Sequence, residues 1–151
     1  MPKQWKQSLA QALQNAATTD KGLRYIDAQG VETVQSYGEL LSAAESVAVG
    51  LRSQLFKSPE HSANQQKGNQ FVILQCPNSV ELVIALWGCI LGDFIPVPVA
   101  TQSIELGVSP LSSALELLER PIILTTESYQ KALSRQLEST KFEDATITIE
   151  S

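Results

Sequence analysis

The chain has 151 residues, 43% of them apolar and 18% charged. That is the composition of an ordinary globular protein, long enough for one domain that buries about 68–70% of its unfolded surface. The net charge is −5, with 8 acids and 7 bases in residues 1–100 but 8 acids and 4 bases in 101–151. An acidic chain without a Lys/Arg cluster lacks the phosphate-neutralising charge that binding to nucleic acid or an anionic membrane requires.

In chain order, Trp5, Leu9, Ala12, Leu13 and Ala16 recur at helical spacing over residues 5–16. Leu23–Asp27 and Val31–Gln35 flank Ala28-Gln29-Gly30, a short glycine-ended turn, and predict a hairpin. Ser36-Tyr37-Gly38-Glu39 fits a capping box, in which Ser36 and Glu39 each satisfy a free amide at a helix start. A long amphipathic helix follows, with Tyr37, Leu40, Leu41, Ala44, Val47, Ala48, Leu51 and Leu55 along one stripe. Residues 57–69 (KSPEHSANQQKGN) are aperiodic and polar, and predict a surface loop.

From residue 71 the pattern becomes regular. Phe71–Leu74 reads as a strand, and Asn78-Ser79-Val80-Glu81 as the capped start of a helix that is apolar nearly all round, packed on more than one side. Phe94–Val99 reads as a strand, but Pro96 and Pro98 cannot donate to a ladder, which demotes it to a strand end or an edge. Ser109-Pro110 starts another helix with Leu111, Ala114, Leu115 and Leu118 inward, and Pro121 ends it before an Ile122–Thr125 strand. Tyr129, Ala132, Leu133 and Leu137 predict a further helix, and Thr146–Ile149 a last strand. The βαβαβαβ order predicts a single α/β domain over residues 1–151, with a mostly parallel sheet and flanking helices.

Cys76 and Cys89 lie on a strand end and inside a helix, and the Met1 region lacks the apolar core of a secretory signal, so both read as reduced thiols of a cytoplasmic protein. The longest apolar run, Leu82–Gly92, has 11 residues, far below the roughly 20 of a membrane span.

Little in the chain carries chemistry. Phosphate loops need glycines that let backbone amides approach the anion, and neither GxGxxG nor GxxxxGK[ST] occurs. After the first strand of the parallel unit stands Gln75-Cys76-Pro77-Asn78-Ser79, and the later turn Thr125-Thr126-Glu127-Ser128 puts an acid where a phosphate would sit. His61, the one histidine, reads as a solvated loop residue, and with two separated cysteines it makes no metal cluster. Cys76 near a helix start has the placement of a reactive thiol, against the plainer reading of a cysteine closing a strand. Cys89 and Trp87 read as core, Asp93 as a turn residue, and Glu105, Glu116 and Glu119 as a solvated acidic face. Thr125, Thr126 and Ser128 stand where open α/β sheets bind ligands, though capping the next helix explains them equally. No residue is assigned a catalytic, cofactor-binding or metal-binding role.

The segments QSYGEL (35–40), GNQFVIL (68–74) and CPNSVELVIALWGCILGDFIPVP (76–98), in this order and spacing, resemble the opening of the adenylate-forming superfamily. That group comprises acyl-CoA synthetases, fatty acyl-AMP ligases, luciferase and nonribosomal peptide synthetase adenylation domains. The resemblance covers about residues 20–150. It departs from the family in its longer 57–69 loop, in Asn69 where the family has aspartate, and in Gly92-Asp93 where it has Gly-Ala. The family's phosphate loop, its nucleotide-contacting motifs and its catalytic lysine come later than the matched segments. The resemblance therefore implies an N-terminal subdomain that is not catalytically competent alone. Its parent would be an ATP- and Mg-dependent acid-activating ligase with phosphopantetheine or coenzyme A as acceptor. The implied partners are the remainder of that enzyme and a carrier protein, with self-association through an exposed apolar face. A stand-alone flavodoxin-like binding or scaffold module remains the alternative reading, and the missing glycine fingerprint disfavours a Rossmann-type dehydrogenase.

Overall fold

The computed structural model describes residues 8–57, 70–101, 110–137 and 146–149. Trp5, His61, Glu105, Ser109, Gly68, Asn69 and residues 58–69 of the expected loop lie outside these. The elements are α1 (Leu9–Ala16), β1 (Gly22–Ile26), β2 (Glu32–Ser36), α2 (Tyr37–Lys57), β3 (Phe71–Gln75), α3 (Ser79–Leu91), β4 (Ile95–Pro98), α4 (Pro110–Leu117), β5 (Ile122–Thr126), α5 (Glu127–Leu137) and β6 (Thr146–Ile149).

The expected hairpin forms: β1 and β2 pair antiparallel, from Gly22↔Ser36 to Ile26↔Glu32. Its turn is held by the Asp27 carboxylate, which accepts from the amides of Gln29 at 2.9 Å and Val31 at 2.8 Å. Gly30 sits at φ 81°, a backbone setting that side chains other than glycine rarely adopt. Ser36 then caps α2. The Glu39 amide donates to the Ser36 hydroxyl at 3.1 Å, and the Glu39 carboxylate accepts from both the amide and the hydroxyl of Ser36 at 2.8 Å. This is the reciprocal box read from the sequence.

The second sheet has four parallel strands in the order β4-β3-β5-β6. Alternation along the central strands splits the core between the two faces of the sheet. Val72, Leu74, Ile122 and Leu124 join Leu51, Ala85, Cys89 and Phe94 on the side of α2 and α3. Ile73 and Ile123 join Leu111, Leu115, Leu133 and Leu137 on the side of α4 and α5. A parallel sheet covered on both faces needs continuous apolar strands, which is what FVIL and IIL supply.

Among the described residues β4 is an edge strand, one of the two placements its prolines allow. The Ile95 amide donates to Gln70 O at 2.9 Å and the Val99 amide to Leu74 O at 3.2 Å. The alternating positions Pro96 and Pro98 therefore direct their nitrogens away from β3, and no ladder bond is lost. Two details differ from expectation. Trp87 is only half-buried, because the helix contact is made by the small residues Ala85, Gly88 and Cys89. Ala132 is exposed, since α5 covers the sheet mainly with Leu133 and Leu137. Among the described residues both faces of the parallel sheet carry helices. The large exposed apolar side chains are Leu9, Ile26, Val31, Val34, Val49 and Leu117, half of them on the hairpin. No described helix is long and apolar enough to cross a membrane.

Candidate functional site

The strand order creates one position where a ligand is expected. β3 leads through α3 to β4 on one side, whereas β5 leads through α5 to β6 on the other. The two connections part company above the carboxyl ends of β3 and β5, the switch point at which open α/β sheets bind ligands. An open depression of about 350 Å³ lies there, lined by Glu81 of α3 and by Thr126, Glu127 and Ser128 at the β5–α5 junction.

Each lining residue has a local cause. Asn78 caps α3 by accepting from the Val80 amide at 2.9 Å, which places Glu81 in the first turn. β5 passes into α5 without an intervening loop, so Glu127 also stands in a first turn. Both carboxylates occupy the positive end of a helix, where an anion is favoured. They are the anions already there. A nucleotide phosphate brought to this depression would meet two negative side chains and a backbone without glycine, so the residues present do not fit the triphosphate of ATP.

The hydroxyls are committed inside the fold. Thr125 is fully buried and donates to Gln75 O on β3 at 2.9 Å. Thr126, also buried, bonds through its hydroxyl to that of Ser128 at 3.0 Å. Gln75 is buried and donates from Nε2 to Val99 O at 2.8 Å, tying the end of β3 to the chain leaving β4. Tyr129 donates to Thr101 O at 2.9 Å. For Thr125 the hydroxyl does something other than the expected capping of the next helix: it joins two strands.

Cys76 and Cys89 are both buried free thiols. Burial, followed by the nearby Glu81 charge, pushes the Cys76 thiol up from 9.0 to about 12. Burial, followed by Cys76 itself, does the same to Cys89, also to about 12. A thiol that stays protonated is no nucleophile, so the reactive-thiol placement of Cys76 is not used. Asp93 occupies the α3–β4 turn at φ 61°. Glu116 and Glu119 are exposed, as expected of a solvated face. Among the described residues no group of three or more His, Cys, Asp or Glu stands ready for a metal ion.

The convergence of Glu81 with Glu127 was not legible beforehand. They are 46 residues apart in sequence, and only the pairing of β3 with β5 brings them together.

No protein-family model matches the sequence. Solved structures do. The structure of McyG A-PCP complexed with phenylalanyl-adenylate matches 99% of this chain and 26% of its own, with TM-score 0.78 and 26% identity. The adenylation domain of a keto acid-selecting NRPS module, bound to keto acyl adenylate, matches 94% of this chain and 26% of its own, with TM-score 0.70 and 31% identity. A fatty acid AMP ligase from Legionella pneumophila matches 94% of this chain and 23% of its own, with TM-score 0.70; at 20% identity it shows the fold alone. The chain spans about a quarter of the length of the solved structures it matches.

Proposed function

On the premise that this chain shares the fold of the adenylate-forming superfamily, we propose that it is the N-terminal, non-catalytic subdomain of an ATP-dependent ligase that activates carboxylic acids. The parent joins a carboxylate to the α-phosphorus of Mg-bound ATP, expelling pyrophosphate and leaving an acyl-AMP. A thiol, on phosphopantetheine or coenzyme A, then attacks the acyl carbon and displaces AMP. The remainder of the enzyme, with a carrier protein as acceptor, is the partner of this subdomain. Its own contribution is a parallel sheet with a helical layer on each face.

One observation carries this reading. A single match extends over 99% of the chain at TM-score 0.78, and the matched protein is an adenylation and carrier pair holding an acyl-adenylate. The QSYGEL cap and the proline-ended β4 both adopt the local structures that the family motifs imply. The acidic, glycine-free depression supports assigning the nucleotide site to other parts of the enzyme.

The test is to translate the reading frame beyond residue 151 and to measure the intact mass of the protein from its native source. The proposal expects a Ser/Thr/Gly-rich segment ending in lysine, within a polypeptide several times longer. A native protein of this chain's own mass would overturn it.

One observation favours a second reading. Numbered along the parallel sheet, the strand order is 2-1-3-4, which is also that of flavodoxin-like folds. In that fold a cofactor phosphate is received at the first βα turn, here Gln75-Cys76-Pro77-Asn78, which lacks glycine and ends in a helix-capping asparagine. Titration with FMN separates the two: the ligase reading expects no change in flavin fluorescence, and saturable quenching would favour the flavodoxin-like module.

A further inference from the structure

We draw no further inference here: the strongest candidate, the depression between the carboxyl ends of β3 and β5 lined by Glu81, Thr126, Glu127 and Ser128, belongs to the site already described and consists of two helix starts and an acidic pair, with its one buried hydroxyl, that of Thr126, already bonded to Ser128.

Discussion

Gly88 of α3 lies directly against Val47 of α2: a β-carbon built on Gly88 would stand 2.5 Å from Val47 Cγ1 and 2.7 Å from its Cβ. The Ala44 carbonyl oxygen would be 3.1 Å away. Neither neighbour is the far end of a flexible side chain, so the two helices touch here because one of them has no side chain. Gly88→Ala gains up to about 1 kcal/mol of helix propensity but overpacks the contact by about 1–3 kcal/mol. The expected result of urea unfolding is a net loss of stability, partly recovered when Val47→Ala is added. If Gly88→Ala is as stable as the wild type, the helices are not this close.

The buried Thr125 hydroxyl is a bond between strands. Thr125→Val keeps the shape and removes the donor to Gln75 O. It should cost about 0.5–1.5 kcal/mol, with Thr125→Ser closer to the wild type. A neutral Thr125→Val in denaturant titrations would argue that the hydroxyl serves something other than the β3–β5 contact.

The two cysteines are expected to be silent in the folded protein. At pH 8 Ellman's reagent should label neither thiol until denaturant is added, and then both. Between 9.0 and about 12 the unfolded chain loses thiol protons that the folded chain retains. Stability is therefore intact below pH 9 and declines as the pH rises above it. Rapid labelling of Cys76 in the native protein would contradict its burial.

Much of this fold was legible because its signals are local. The Ser36–Glu39 box, the Ala28–Gly30 turn and the apolar runs of β3 and β5 each act within a few residues. Pro96 and Pro98 narrowed their segment to a strand end or an edge, since an amide that does not exist cannot serve a ladder on both sides. Strand order was not legible, because β5 lies on the far side of β3 from β4, so the chain returns past β3, and no local residue records that choice. Trp87 shows a second limit. Hydropathy assigns the largest apolar side chain to the core, whereas close helix packing gave the deepest places to Ala85, Gly88 and Cys89.

The cap of α2 has its own titration. The Ser36 amide and then its hydroxyl hold the Glu39 carboxyl below its ordinary 4.5. Its contribution to stability is present above that value and is lost as the pH falls through the lowered one. Ser36→Ala should cost about 1 kcal/mol at neutral pH. Side-chain NMR should show Glu39 titrating closer to 4.5 in that variant, and an unchanged Glu39 would mean that the box does not persist in solution.

The most direct test of the central claim, that this chain supplies the frame of an acid-activating ligase without its nucleotide site, is calorimetry of Mg·ATP against the 151-residue protein. The account predicts no saturable heat at micromolar nucleotide, because Glu81 and Glu127 hold the switch point that a phosphate would need. One-site binding with a micromolar Kd would contradict it.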